Sequence, residues 1–87
     1  MQQAKTLLHH PSGLHARPAA QFAKLAQSFK SNITVSGKGE TVSAKSILQI
    51  LTLDLTKDDE IIIIAEGEDE QEAILALVRL VQDNFPV

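Results

Sequence analysis

The 87-residue sequence has no cysteine, no tryptophan and no tyrosine. Without cysteine there can be neither a disulfide framework nor a thiolate zinc site. That absence is compatible with a cytoplasmic protein. Long apolar runs are missing as well: runs such as IIIIA at 61–65 fall far short of the ~20 residues a membrane-spanning helix needs. The opening MQQAKTLLHHPSG has too short an apolar stretch for a signal peptide and no small-residue cleavage pattern. Neither membrane insertion nor secretion is expected. Clustered Lys and Arg are also lacking, and the net charge is −3, which argues against a nucleic-acid partner.

The chain does have 44% apolar residues, mostly Ala, Ile, Leu and Val, a composition that suits a folded domain rather than a disordered one. A chain of this length is one domain, 1–87, and buries roughly 60% of the surface it exposes when unfolded. Charge is unevenly placed. Residues 1–57 hold seven of the eight basic residues and two acids; residues 58–87 hold one base and nine acids. Such asymmetry favours steering toward an anionic group or an acidic partner, although the acidic third reads equally well as a solvated helix.

Along the chain, AKTLL (4–8) has the character of a strand, and HHPSG breaks it with Pro11 and Gly13. Apolar residues at 19, 22, 23, 26 and 29 mark a helix from Ala16 to Phe29. ITVSG and ETVSA alternate with period two around KG, which predicts a hairpin with Gly37 or Gly39 at the positive-φ position. SILQILTLDL (46–55) reads as a short helix with Ile47, Ile50, Leu51 and Leu55 on one face and a Ser46/Gln49 capping box. EIIIIAEG is a β-branched strand, and Asp69 with Glu72 opens a final helix over 70–84 that ends before Pro86. The order is β-α-β-β-α-β-α. We therefore expect an α+β fold, a two-layer open-faced β-sandwich with a four-stranded antiparallel sheet and three helices on one face. Alternate isoleucines of IIII must then face away from the helices, and we read them as singly tolerated.

The stretch GLHARPAA (13–20) carries the chemistry. His15 falls where loop becomes helix, above backbone amides that have no intrahelical acceptor. Those amides and the helix dipole make an anion site. Arg17 brings a permanently charged fork to the same anion. Pro18, in the first turn, costs the helix no hydrogen bond. Small residues at 16, 19 and 20 leave room for another protein surface. A free imidazole, with a pKa near ~6.5, is largely neutral at cellular pH, and in that form it is a nucleophile toward phosphorus. No general base, second acid or metal cluster stands beside it in sequence. The pattern suits a carrier that accepts and surrenders a phosphoryl group without cofactor or metal, rather than an enzyme that hydrolyses one.

GLHARPAA resembles the active-site signature of the histidine-containing phosphocarrier family, HPr, of the bacterial phosphotransferase system. AKSIL (44–48) resembles the family's second signature and AEGEDEQEA (65–73) its last strand-to-helix junction; the inferred element order matches its fold. The resemblance covers essentially the whole chain. It implies that His15 takes a phosphoryl group on Nδ1 from phospho-enzyme I, itself charged by phosphoenolpyruvate, and passes it to EIIA domains of sugar transporters. Arg17 would neutralise the phosphoryl group, and the Ala16 and Arg17 amides would receive it. Partners would dock on apolar surface formed by the starts of the first two helices: Ala20, Ile47, Leu48 and Leu51, with Lys24 and Lys45 at the rim.

Ser46 is expected as a helix N-cap, and the resemblance adds regulation by a serine kinase that would weaken docking through negative charge. His9 and His10 point to opposite sides of a strand end, so they cannot join His15 around a metal and are read as exposed loop residues. Gln49 and Asp54 stand where many family members have glycine, and Asp54 is expected at a positive-φ helix end. An acid there is also a feature of the nitrogen-regulatory branch, which stays open as an alternative, as does a regulatory binding domain using the same surface without transfer. The chain could also be one domain of a longer multi-phosphoryl protein, but Met1 and a complete domain lead us to expect a free protein, with a monomer as the default expectation.

Overall fold

A computed structural model describes residues 1–11 and 13–86; Ser12, within the expected HPSG turn, and Val87 lie outside that description. The elements follow the expected order: β1 (Gln2–Leu7), α1 (Ala16–Gln27), β2 (Asn32–Gly37), β3 (Glu40–Ser43), α2 (Ile47–Thr52), β4 (Glu60–Glu66) and α3 (Glu70–Gln82). The strands form one antiparallel sheet in the order β1-β4-β2-β3. The β-branched run thus becomes a central strand, paired on one side with β1 (Ala4 opposite Ile63) and on the other with β2 (Val35 opposite Ile63).

Period two decides which side chains reach the core. In β4, Ile61, Ile63 and Ala65 are buried while Ile62 and Ile64 are half-buried. On the open face Ile64 lies between Gln3 and Thr34, and Ile62 between Lys5 and Ser36. Each isoleucine thus has polar neighbours on both sides, with the aliphatic stem of Gln3 or Lys5 on one of them. On the other face the helices supply Ala19, Phe22, Ala23 and Ala26 from α1 and Ala73, Ile74, Leu77 and Val81 from α3 to a single core. Full burial of Phe22 alone is worth ~1.5–3 kcal/mol.

Several expectations shift. β1 runs over 2–7 rather than 4–8, and Leu8 is buried as the chain leaves the sheet. α1 ends at Gln27 because Ser28 and Phe29 close it with short bonds to Leu25 and Ala26. The hairpin turn uses Lys38 (φ 52) and Gly39 (φ 81), leaving Gly37 in the strand. Two successive positive φ values form the twisted turn that a two-residue hairpin prefers.

α2 is only six residues long, and Leu53 and Leu55 are buried beyond its end. Its capping box is half made. Ser46 Oγ accepts the Gln49 amide at 3.3 Å, but Gln49 Oε1 accepts the Ser43 amide at 2.9 Å instead of reaching back to Ser46. α3, by contrast, starts without a side-chain cap. Asp69 turns away to accept the amides of Lys30 (2.8 Å) and Ser31 (2.9 Å) and the Ser31 hydroxyl. It is Glu70, not Glu72, that reaches back to the Gly67 amide at 3.1 Å.

Candidate functional site

The loop between β1 and α1 is pinned before it reaches His15. Leu8 exchanges backbone hydrogen bonds with Asp58 and Asp59, the Gly13 amide donates to the His10 carbonyl at 2.9 Å, and the Leu14 amide donates to the Leu55 carbonyl at 3.2 Å. Gly13 has φ +62, and a Cβ there would lie 2.2 Å from the Leu55 carbonyl oxygen. Only glycine fits both constraints. With Leu14 fully buried, the next residue must emerge.

His15 emerges as the N-cap of α1, exposed, in extended conformation (φ −89, ψ −162), with no side-chain cap bond. Its carbonyl accepts the Ala19 amide at 2.8 Å, the first bond of the helix. The amides of Ala16 and Arg17 therefore have no intrahelical acceptor, and Pro18 has no amide hydrogen to offer. No acidic residue occupies this first turn, so the positive end of the helix is not neutralised from within. Arg17 is exposed and forms no ion pair among the described residues. Together His15, Ala16, Arg17, Pro18, Gln21, His10 and Phe85 line a shallow pocket of about 350 Å³. Unpaired donors, a free guanidinium and an exposed imidazole can receive an anion attached to the ring.

Two of these lining residues were not legible in the sequence. Phe85 arrives from the far end of the chain, and Gln21 turns its side chain to the Pro86 carbonyl at 2.8 Å. No local signal marks either. His10 also corrects its sequence reading: His9 is exposed, but His10 is half-buried, its ring edge-on to Phe85 at 6.0 Å and 80°. No group of three or more His, Cys, Asp or Glu is arranged to hold a metal ion among the described residues.

The docking residues are arranged differently from expectation. α2 lies beside α1, and the contacts at its two ends show that it runs the other way. Leu55, past the end of α2, meets Gly13 and Leu14 at the start of α1. Lys45, before α2, meets the end of α1, with its Nζ donating to the Phe29 carbonyl at 2.8 Å and its carbonyl accepting Gln27 Nε2 at 2.9 Å. The start of α2 is therefore not beside His15. Ser46 and His15 stand at opposite ends of α1, which is ~18 Å long at the usual helical rise.

Between those ends lies a strip of surface: Ala20 half-buried and Lys24 exposed on α1, then Leu51 half-buried, Ile47 40% exposed and Leu48 78% exposed on α2. Leu48 is the most exposed large apolar side chain among the described residues. Lys45 is half-buried and its ammonium is already engaged, so it ties the two helices together at the edge of this strip.

Comparison with known proteins places this geometry. Residues 2–83 match the family described as PTS HPr component phosphorylation site. The phosphocarrier protein HPr of Haemophilus influenzae is 51% identical over 80% of this chain and 82% of its own. HPr from Thermoanaerobacter tengcongensis superposes with a TM-score of 0.95 at 41% identity, covering 98% of this chain and 96% of its own. Crh, a Bacillus subtilis catabolite-repression protein whose structure is a swapped dimer, superposes at 0.76 with 39% identity over the full length of both chains.

Proposed function

The chain belongs to the HPr family of phosphocarriers of the bacterial phosphotransferase system, and from that premise we propose that His15 is the residue that carries the phosphoryl group. It is a group carrier rather than an enzyme. The observation that supports His15 is its position as an exposed N-cap over two unpaired amides and beside an unpaired Arg17. The neutral ring attacks phosphorus on phospho-enzyme I. A nitrogen–phosphorus bond forms at His15 as the bond to the donor breaks, and the donor leaves with its electron pair. The dianionic adduct then lies against the Ala16 and Arg17 amides and the Arg17 guanidinium. Charge-assisted hydrogen bonds of this kind are worth about 1.5–3 kcal/mol each. An EIIA imidazole that approaches the open side of the pocket takes the group by the same exchange in reverse.

Enzyme I and EIIA dock, in this reading, along the α1–α2 strip that carries Ala20, Lys24, Ile47, Leu48 and Leu51, with Lys45 at its margin. The apolar exposure of Leu48 and Ile47 supports it. Phosphorylation of Ser46 by a serine kinase would add a dianion beside Ile47 and Leu48, at the far end of the strip from His15. Its effect would fall on docking rather than on the transfer chemistry. Phosphoenolpyruvate as the ultimate donor puts the reaction in the cytoplasm. We take the working form to be a monomer.

Incubation with enzyme I and phosphoenolpyruvate should add one acid-labile phosphate per chain, transferable to an EIIA domain, and His15→Ala should abolish it. Labelling that survives in His15→Ala, or that resists acid, would refute the assignment.

A further inference from the structure

The chain ends in an unusual backbone conformation at the edge of the phosphoryl pocket. Asn84 (φ 59) and Phe85 (φ 53) are both left-handed. Asn tolerates that region; a bulky aromatic residue does not adopt it without compensation. The turn is held by the Phe85 amide on the Leu80 carbonyl at 3.0 Å and the Asn84 amide on the Val81 carbonyl at 3.1 Å, the paired bonds of a Schellman motif. Its consequence is directional. Instead of running on from α3, the chain folds back onto the start of α1, where Gln21 Nε2 holds the Pro86 carbonyl at 2.8 Å. Phe85, 4% exposed, meets the ring of His10 edge-on. The His10 carbonyl in turn accepts the Gly13 amide in the turn that delivers Leu14 and His15.

We propose that Phe85 is a positioning residue for phosphoryl transfer: through its contact with His10 it fixes the turn from which His15 is presented. The proposal rests on the reading of His15 as the phosphoryl carrier and extends it to the opposite end of the sequence. A ring that merely filled the core would need neither the left-handed backbone nor the His10 edge contact. Here the left-handed turn, the Gln21 tether onto the first helix, the His10 edge contact and the shared pocket wall bring the chain end against the segment that presents His15. Holding a reacting group within a fraction of an ångström is worth large rate factors even when the residue that holds it lies outside the chemistry.

A double-mutant cycle tests it. His10→Ala, Phe85→Ala and the double variant are compared with the parent chain for kcat/KM of phosphoryl acceptance from phospho-enzyme I, and for the hydrolysis rate of the phosphorylated form, at a temperature where all are folded by circular dichroism. Each single variant should lower kcat/KM about tenfold, and the double variant should be no worse than the worse single one. His10→Phe, which keeps an edge contact without the imidazole, should recover the parent rate within about twofold. Strictly additive losses, or an unchanged rate in folded His10→Ala, would overturn the positioning role. If Phe85→Ala does not fold, the His10→Ala and His10→Phe pair decides the matter: recovery by phenylalanine supports the contact, and equal loss in both contradicts it. Absence of phosphate on His15 in the parent protein would instead sink the carrier reading itself, so the two failures are distinct.

Discussion

One backbone contact decides where the His15 imidazole sits. Gly13 passes so close to the Leu55 carbonyl that any Cβ would collide with it, and this approach drops Leu14 into the core and leaves His15 outside. Much of the site was readable at this scale because helix entry is local: a loop glycine, the imidazole, an arginine and an early proline specify an uncapped N-terminus within six residues. His10 and Phe85 were not readable, because their contact joins positions 75 residues apart and has no pattern in the intervening sequence.

Asp54 shows the same local legibility. Expected at a positive φ, it has φ 49 just beyond α2, where its carbonyl accepts Lys38 Nζ at 2.7 Å. The left-handed conformation costs a side-chain-bearing residue roughly 1–2 kcal/mol, against about 0.5–1 kcal/mol of extra chain entropy lost by glycine. Asp54→Gly should therefore raise stability by about 0.5–1 kcal/mol, with the Lys38 contact to the backbone kept. Urea unfolding checks this, and a lowered midpoint would contradict the strain argument.

Elements came out in the expected order because periodicities of two and 3.6 are strong in this chain; their ends and mutual directions did not. The α1–α2 pair runs antiparallel because Gly13 and Leu14 meet Leu55 at one end while Gln27 and Phe29 meet Lys45 at the other, and sequence spacing carries no information on such pairings. Asp69 makes the same point. It occupies a helix-start position, yet its carboxylate is used between elements, joining the start of α3 to the segment between α1 and β2.

That link carries a pH signature. The Ser31 hydroxyl, then the Lys30 amide, hold the Asp69 carboxyl below its ordinary value. Asp59, held by the Thr56 amide, and Glu70, held by the N-terminal ammonium, shift the same way. A depressed carboxylate stabilises the fold at pH above its unfolded pKa, ~3.9 for Asp, and that contribution is lost as pH falls through the lower folded value. Thermal unfolding of the parent chain should therefore drop steeply below about pH 4. Asp69→Asn should be less stable at pH 7 but decline more shallowly in acid. An identical slope in the variant would show that the link contributes nothing.

For the whole molecule, the layers divide the labour. The helix face of the sheet builds the core, and α1 and α2 present the pocket and the apolar strip on the outer side. The open sheet face keeps Ile62 and Ile64 half-buried among polar neighbours. The asymmetry of charge seen in the sequence survives folding: the first turn of α1 holds no acid, while the first turn of α3 holds Glu70 and Glu72. An incoming phosphoryl group is therefore favoured at one helix start and opposed at the other.

The central claim is that the phosphoryl dianion is received by the mouth of α1, and nitrogen–proton correlation spectra of the free and phosphorylated chain test it most directly. The account predicts the largest amide shifts at Ala16 and Arg17 on phosphorylation, reversed when an EIIA domain takes the group. Unmoved Ala16 and Arg17 amides in a fully phosphorylated sample, with the largest changes elsewhere in the chain, would contradict it.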